Sequence, residues 1–251
     1  MDIAYDGSPF HGYAAQPGLR TVQGELEAAL HRLVGAVETA VAGRTDAGVH
    51  ASGQVVSFES GDPVDPTRAK RSLNKMLAPQ IAVLRLVEGE PGFHARFSAV
   101  GRCYRYLVLN REAPDPFLAG RAWHVVAPLD VDAMAQTCGA MEGEHDFASF
   151  CRRSGDAPTE RKVFWCGWHR DGELIELSIA ANSFCHQMVR SIAAFGVTVG
   201  LGKRDAGEVR AVLEAADRTA VGGVAPPHGL TLVAVGYAGE PLVPPTWLVR
   251  H

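Results

Sequence analysis

A carboxylate lies beside an arginine in a glycine-bracketed segment, Gly43-Arg44-Thr45-Asp46-Ala47-Gly48-Val49-His50-Ala51-Ser52-Gly53. Gly43 and Gly48 permit backbone angles that other residues avoid, so the segment predicts a tight loop that presents Asp46. A carboxylate held in this way can act as a general base or as a nucleophile. The alternative is that Asp46 only forms an Asx-type turn and that Arg44 is its solvated neighbour. The segment alone leaves both interpretations open.

Two stretches of alternating apolar residues flank this segment, at residues 39–42 and 54–58. The alternation predicts a strand on each side of the loop. A loop fixed at both ends by rigid elements is a common location for catalytic groups. His50 is a second acid or base by residue type, but its position at the return into the second strand favours a structural hydrogen bond.

The composition is that of a folded globular protein. The chain has 251 residues, of which 47% are apolar, enough to bury the core of one large domain or two small ones. No apolar run approaches the ~18 residues expected of a membrane helix, and no basic segment leads into an apolar one at the N-terminus. These features predict a soluble, cytoplasmic protein without a membrane partner.

The cysteines and histidines show no metal-binding or redox spacing. The five cysteines are widely separated and form no CxxC pair, so we expect them to be reduced and mostly buried. His94, His145 and His186 are also too dispersed to suggest a ligand set, and we assign no metal.

The net charge of -4 and the sequence pI near 6.2 argue against a protein that coats nucleic acid nonspecifically. An RNA site would have to be a local basic patch. Each candidate taken alone predicts only a solvated face. The candidates are Arg68-Ala69-Lys70-Arg71, the group Arg96, Arg102 and Arg105, the segment 152–162, and Lys203-Arg204.

The periodicity predicts secondary structure in the order β-α-β-β-α-β over the first half of the chain. Thr21 is expected to cap a helix with Val22, Leu26, Leu30 and Leu33 on one face, and Pro66 to open a second helix. The predicted strands are 3–5, 39–42, 54–58 and 81–87, and the second helix is 66–76 with Leu73, Met76 and Leu77 facing inward.

The second half repeats this order loosely. Asp171-Gly172 predicts a tight hairpin turn between two strands. The predicted strands are 102–109, 122–126, 163–168, 174–180 and 230–237, and the predicted helices are 130–141, 185–199 and 205–215.

These orders predict an α+β fold. We expect two ferredoxin-like (RRM-like) halves that form one continuous, mainly antiparallel sheet with helices on one face and a central active-site cleft. The predicted subdomains are 1–97, which carries the Asp46 loop, and 98–251.

The segment Gly43-Arg44-Thr45-Asp46-Ala47-Gly48-Val49-His50 resembles the catalytic motif of the TruA family of tRNA pseudouridine synthases. Five further stretches resemble family blocks in family order, so the resemblance covers nearly the whole chain. They are Tyr5-Asp6-Gly7-Ser8-Pro9-Phe10-His11-Gly12, Thr21-Val22-Gln23-Gly24-Glu25-Leu26-Glu27, Phe93-His94-Ala95-Arg96-Phe97-Ser98-Ala99, His145-Asp146-Phe147-Ala148-Ser149-Phe150 and His186-Gln187-Met188-Val189-Arg190.

Two features depart from the family pattern. The chain has Tyr13 after Gly12, where the family often has tryptophan, so local packing or RNA contact is expected to differ. Relatives also commonly carry several more residues before the first strand. Two explanations stay open: the sequence begins at an internal start site, or the edge of the sheet is frayed.

The resemblance implies an isomerase that converts uridine to pseudouridine at positions 38, 39 and 40 of the tRNA anticodon stem-loop. It also implies a homodimer in which one tRNA contacts both protomers. The reaction oxidises nothing and loses no group, so no cofactor is expected. Asp46 would supply a carboxylate near the sugar, as in glycoside cleavage, either attacking the sugar or acting first as a base on the ribose.

The resemblance also implies roles for two residues of the second half. Arg190 corresponds to the family arginine that pairs with the catalytic aspartate, and an adjacent guanidinium favours the ionised carboxylate. Tyr104 corresponds to the tyrosine that stacks on the target base and assists removal of the proton from carbon 5. Tyr106 lies on the same face of the strand and is expected to be a core residue.

Three arginines are expected to bind the substrate. A uridine must leave its stack before Asp46 can reach the sugar, and Arg44 resembles the family arginine that assists this base flipping and holds the phosphate backbone. Arg96 and Arg102 are further candidates because they belong to one of the local basic groups.

Three alternatives remain. A relative of the same class could modify other uridines, since regional specificity depends on cleft shape. A noncatalytic RNA-binding module would offer stacking aromatics across a sheet but would leave Asp46, Arg190 and Tyr104 without purpose. A metal-dependent hydrolase using Asp46 and His50 would lose activity in chelator, whereas an isomerase of this kind would not.

Overall fold

The computed structural model describes residues 1–152, 155 and 157–248. The chain forms two compact units. The first unit comprises Met1–Val100 and Thr231–Pro241, and the second comprises Gly101–Leu230 and the residues from Leu242 onward. The chain therefore leaves the first unit, builds most of the second, and returns to the first.

The described residues contain both helices and strands, as predicted. The helices are α1 (Val22–Val34), α2 (Pro66–Leu77), α3 (Val131–Gly139), α4 (Met188–Gly200) and α5 (Glu208–Ala215). The strands are β1 (Asp2–Tyr5), β2 (Thr39–Val41), β3 (His50–Phe58), β4 (Ile81–Arg85), β5 (Ala99–Leu109), β6 (Trp123–His124), β7 (Gly143–Asp146), β8 (Glu160–Asp171), β9 (Leu174–Ala181) and β10 (Leu230–Tyr237). Among these helices, none combines the length and the apolar character needed to cross a bilayer.

The strands of the first unit run in the order β4-β1-β3-β10. β1 pairs antiparallel with both β3 and β4, and β2 pairs antiparallel with β3. β10 pairs parallel with β3, with Thr231 opposite His50 and Leu232 opposite Ala51. β3 therefore starts at His50, four residues earlier than the alternating pattern predicted, because the returning strand provides its first backbone partners.

Helix α1 begins where the sequence predicts. The Thr21 side chain accepts a hydrogen bond from the Gly24 amide, which satisfies one of the free donors at the helix N-terminus. Leu26 and Leu30 are fully buried as expected, but Leu33 is 38% exposed, so the buried face is narrower than predicted.

Helix α2 covers the edge of the first unit's sheet. The Asp65 side chain caps the helix by accepting from the Thr67 and Arg68 amides, and Pro66 occupies its first turn. From the same helix, Asn74 accepts from the Val83 amide and donates to the Val83 carbonyl. The edge strand β4 thus has side-chain partners where a further strand would otherwise bond.

The second unit contains a mostly antiparallel sheet in the order β5-β9-β8-β7, with β6 parallel to β5. The predicted turn at Asp171-Gly172 is present, because β8 ends at Asp171 and Gly172 has a φ of 57°. Large aromatic side chains fill the core, including the fully buried Tyr106, Phe147, Phe150 and Phe195. The mixed composition and the mainly antiparallel pairing of the predicted fold class are confirmed.

Several elements of the second unit differ from the prediction. Helix α4 begins at Met188 rather than at residue 185, because Gln187 has a φ of 64° and is left-handed. Strand β6 spans only two residues. Strand β7 was not predicted, since Gly143–Asp146 contains no run of apolar residues and forms by pairing with β8.

The expectation that the cysteines are reduced is wrong for one pair. Cys151 and Cys185 form a disulfide with their Cα atoms 5.7 Å apart. They are 34 residues apart in sequence, and the hydrogen bond from the Arg152 amide to the His186 carbonyl brings their segments together. Cys103, Cys138 and Cys166 are free and buried, as expected.

Candidate active site

Asp46 lies on the short loop between β2 and β3, as predicted. Asp46 is half-buried, the nearby Arg44 is exposed, and Thr45 is buried. The loop turns tightly, since the Val49 amide donates to the Asp46 carbonyl at 3.1 Å. Gly48 has a φ of 77°, which a residue with a side chain adopts only at a cost. The loop therefore presents the side chain of Asp46 from a fixed backbone.

Buried hydrogen bonds hold the loop to the strands beside it. Gln54 on β3 is fully buried, and its amide nitrogen donates to the Gly43 carbonyl at 2.7 Å and to the Tyr5 hydroxyl at 3.3 Å. The Tyr5 hydroxyl lies 2.8 Å from the Thr45 hydroxyl. Burial raises the pKa of Tyr5 to about 12, so its hydroxyl stays protonated at neutral pH. This buried network fixes the loop on the side of β1 and β3.

The loop between β1 and α1 packs against Asp46 from another direction. The Tyr13 amide donates to the Thr45 carbonyl at 3.0 Å. Gly12 has a φ of 94°, and a Cβ added there would lie 3.1 Å from the Thr45 carbonyl oxygen and 3.3 Å from the Ala47 amide nitrogen. The Gly12 carbonyl also accepts from the Val22 amide, which ties this contact to the start of α1. A side chain at residue 12 would therefore press on the backbone of the Asp46 loop.

The departure at Tyr13 is a packing difference. Tyr13 is fully buried, and its ring centroid lies 6.2 Å from that of Tyr5. This tyrosine is therefore part of the core beneath the loop.

His50 makes the structural hydrogen bond that its position predicted. It is 3% exposed, and its Nδ1 accepts from the Gly7 amide at 3.1 Å. An Asp6 carboxylate oxygen lies 3.2 Å from the same nitrogen and accepts from the amide and hydroxyl of Ser8. His50 thereby connects the end of the Asp46 loop to the segment after β1.

Tyr104 and Tyr106 lie on β5 in the second unit. Tyr104 is 8% exposed and meets the ring of Phe184 edge to face, with centroids 5.1 Å apart. Tyr106 is a core residue, as expected, and its hydroxyl donates to the Pro226 carbonyl at 2.8 Å. Burial raises the pKa of Tyr106 well above its usual value, and the nearby charge of Arg190 opposes that rise.

Arg190 lies in the first turn of α4 and is half-buried. Its Nε donates to the Ala225 carbonyl at 2.8 Å, and its own carbonyl accepts from the Ala225 amide. These two contacts with Ala225 hold the guanidinium in place. The pairing with Asp46, which lies in the first unit, stays a prediction.

The other predicted substrate-binding arginines have different surroundings. Arg96 is exposed, with its guanidinium carbon 5.6 Å from the centroid of the Phe97 ring. Arg102 is 9% exposed, and its Nη1 donates to the Asn182 carbonyl at 3.0 Å. An RNA-binding role for Arg44, Arg96 and Arg102 stays a prediction.

Sequence reasoning missed Tyr5, Gln54 and Gly12 as supports of the Asp46 loop. A polar Gln54 inside an alternating strand was one available signal, because a buried amide must find hydrogen-bond partners. Tyr5 and Gly12 lie within a block that resembles the family, but nothing in that block indicates which later residues they contact.

Comparison with known proteins gives consistent results over the chain. A family model described as tRNA pseudouridine synthase matches residues 138–238. A tRNA pseudouridine synthase A of Geobacillus sp. (strain WCH70) is 40% identical over 238 residues, which is 94% of this chain and 96% of the relative. Proteins of the same name from Bacillus velezensis and Bacillus subtilis (strain 168) are 42% and 40% identical, each over 94% of this chain and 97% of their own length.

Proposed function

Because the chain belongs to the tRNA pseudouridine synthase A family, we propose that it isomerises uridine to pseudouridine in tRNA, at positions 38, 39 and 40 of the anticodon stem-loop. The observation that carries this proposal is the identity of about 40% with the Geobacillus relative over 94% of the chain. The half-buried Asp46, held by a buried network, is a chemically suitable centre for this reaction.

Asp46 is the proposed catalytic carboxylate. The bond between the ribose anomeric carbon and N1 of the base breaks, the base turns, and carbon 5 forms the new bond. The proton of carbon 5 is then lost and N1 gains one, so atoms and charge balance without a cofactor. A carboxylate near the anomeric carbon can attack it or stabilise its electron deficiency, and it can also take a proton from the ribose.

Arg190 is proposed to pair with Asp46. A planar guanidinium can donate two parallel hydrogen bonds to a carboxylate, which favours the ionised form that the chemistry needs. The clamp to Ala225 supports this role because it orients the guanidinium.

Tyr104 is proposed to stack on the detached base and to assist loss of the carbon 5 proton. Stacking tolerates rotation of the base, because the flat face of the ring stays against the tyrosine whichever edge of the base is turned toward the sugar. Arg44 is proposed to assist base flipping and to hold the backbone, which its exposure permits, and Arg96 and Arg102 to contact the RNA.

The assembly is part of the same proposal. We propose two ferredoxin-like halves, predicted as 1–97 and 98–251 with β10 returning to the first, that form one continuous sheet around a central cleft. We further propose a cytoplasmic homodimer in which one tRNA contacts both protomers.

The test is release of tritium from tRNA transcripts labelled at carbon 5 of uridine, with chelator present. Wild type should release tritium, and Asp46→Asn should not, although it should fold and bind tRNA nearly as wild type does. Asp62→Asn is the matched control, because it removes an exposed carboxylate of the same unit and should stay active.

Transcripts that lack uridine at positions 38 to 40 complete the experiment. Loss of release with these transcripts would support both the reaction and its region, whereas persistent release would overturn the positional assignment. Turnover by Asp46→Asn would refute the role of Asp46. Absence of release from folded wild type and competent tRNA would instead favour a binding module.

A further inference from the structure

Three arginines surround the start of α4 in the second unit. Arg190 lies in the first turn of the helix. Arg152 is adjacent because its amide donates to the His186 carbonyl at 2.9 Å, one residue before Gln187. Arg218 reaches the same place from a distant segment, since its Nη2 donates to the side-chain oxygen of Gln187. Arginines from three separate segments therefore lie at one helix end.

The Arg218 guanidinium is incompletely satisfied. Its Nη1 is buried and has no hydrogen-bond acceptor among the residues that the structure describes. The neighbouring carboxylate of Asp217 is occupied by Thr219, accepting from both its amide and its hydroxyl. A buried N–H donor usually has a hydrogen-bond acceptor, so an acceptor atom of a bound ligand would suit Arg218 Nη1.

The local electrostatics point to an anion. Burial lowers the pKa of Arg218, and the positive charges of Arg152 and Arg190 lower it further. Like charges held together in a partly buried place repel one another, and a bound anion would relieve that repulsion.

The cluster is held by rigid contacts. The Ser149 hydroxyl accepts from the Asp217 amide at 2.9 Å, which fixes the turn before Arg218. Arg204 donates to the Ala220 carbonyl in the following turn, and the Ala225 clamp fixes Arg190. Arg190 and Arg218 are therefore carried by segments that these contacts hold in place.

We propose that Arg152 and Arg218, beside Arg190, form a binding site for one phosphate group of the tRNA backbone. A phosphate carries negative charge and several acceptor oxygens, which match the forked donors of guanidinium groups. The assignment to a backbone phosphate rests on the proposed function, because tRNA is the anionic polymer that this protein would bind next to Arg190. Free inorganic phosphate shares the same chemistry and is distinguished by the test.

The test combines protein variants with RNAs in which one backbone phosphate is replaced by an uncharged group. Anticodon stem-loop RNAs are prepared with a single uncharged methylphosphonate linkage at successive positions around the target uridine. With wild type, one linkage should weaken binding about tenfold, the size expected for a lost charge-assisted hydrogen bond. With Arg218→Gln, the unmodified RNA should bind that much more weakly, and the same linkage should have little further effect. The slope of log affinity against log salt should also fall by about 0.7.

Arg210→Gln is the matched control. Arg210 is an exposed arginine of α5 in the same unit, and none of the contacts that hold the cluster uses it. This variant should remain fully sensitive to the linkage. If Arg218→Gln fails to fold, Arg152→Gln provides the same test, because Arg152 is exposed and its hydrogen bond to His186 uses only the backbone.

Two results would overturn the proposal. One is that Arg218→Gln and Arg152→Gln keep the wild-type sensitivity to every neutral linkage. The other is that millimolar inorganic phosphate, but not chloride at equal ionic strength, binds at Arg218 without competing with RNA. Tritium release is measured in parallel to separate the two proposals. A protein whose RNA affinity depends on one linkage, but which does not isomerise uridine, would support the phosphate site and contradict the proposed reaction.

Discussion

The hydrogen bonds beneath Asp46 have a defined direction. Gln54 uses its amide protons on the Gly43 carbonyl and the Tyr5 oxygen, so the proton of the Tyr5 hydroxyl is available for Thr45. Each group in this chain depends on the one before it. A change at Tyr5 should therefore reach the Asp46 loop without any direct contact with substrate.

We expect Tyr5→Phe to lower kcat about tenfold with little change in the KM for tRNA, because it releases Thr45 and leaves a buried Gln54 donor unpaired. The free energy of unfolding should fall by about 1–3 kcal/mol. Single-turnover tritium release and urea unfolding measure the two effects.

Tyr237→Phe is the control for that change. It removes a tyrosine hydroxyl of the same unit that donates to the Ala95 carbonyl at 2.9 Å. It should lose some stability and keep kcat. An equal loss of kcat in both variants would show that Tyr5 acts only through general stability.

Tyr104→Phe separates stacking from proton transfer. The ring remains, so tRNA affinity should be unchanged, but loss of the phenol should slow tritium release by about a hundredfold or more if it moves the carbon 5 proton. Tyr104→Ala should weaken binding as well, because it removes the ring. Wild-type release by Tyr104→Phe would leave the hydroxyl without a chemical part.

The loop between β1 and α1 offers a matched pair of glycines. Gly12 and Gly18 both have positive φ angles, 94° and 73°, so alanine strains the backbone at each. A Cβ at Gly18 would meet nothing within 4 Å, whereas at Gly12 it would press on the Asp46 loop. The two substitutions therefore differ mainly in that contact.

We expect Gly12→Ala to reduce kcat on the order of a hundredfold, because small displacements of a catalytic group are costly. Gly18→Ala should change kcat less than about twofold, because its Cβ meets no neighbour. Both variants should lose about 1 kcal/mol of stability from backbone strain. Steady-state kinetics with thermal unfolding distinguish them. Equal kinetic effects would contradict a positioning role for the loop.

Helix starts were predictable where one side chain decides them. Thr21, Pro66 and the capping Asp130 act within three residues of their helices, so the sequence signals them locally. The start of α4 was not predictable, because the left-handed Gln187 is held by contacts from distant segments such as Arg218. Likewise β3 starts at His50 only because residue 231 pairs with it.

Net charge gives little indication of how the protein would bind RNA. The chain carries a formal charge of -4, yet its arginines are locally concentrated, as in the three around α4. We expect tRNA affinity to fall on the order of tenfold or more between ~50 and ~200 mM salt, as several phosphate contacts require. Fluorescence anisotropy with labelled tRNA measures this dependence. Affinity that does not change with salt would argue against local basic contacts.

The candidate site was predictable to the extent that it is local. The Asp46 loop is bracketed by its own glycines and was located correctly, whereas the partners that hold it are 40 and 49 residues apart, Tyr5 with Thr45 and with Gln54. The disulfide between Cys151 and Cys185 was missed for the same reason, since no spacing motif links them. Non-local contacts depend on the whole fold, and one sequence does not encode them as a short pattern.

The return of β10 to the first unit has a bearing on biosynthesis. Ribosomes release the chain from the N-terminus, and domains generally begin to fold as they emerge. While residues 101–230 are still being translated, residues 1–100 lack their β10 partner. One edge of β3 beside His50 stays unpaired during this time. The Asp46-bearing unit is thus the first to be started, yet it is completed only after residues 101–230 have been made. A ribosome that stalls before codon 231 would leave an aggregation-prone strand edge exposed and the Asp46 loop without its final support.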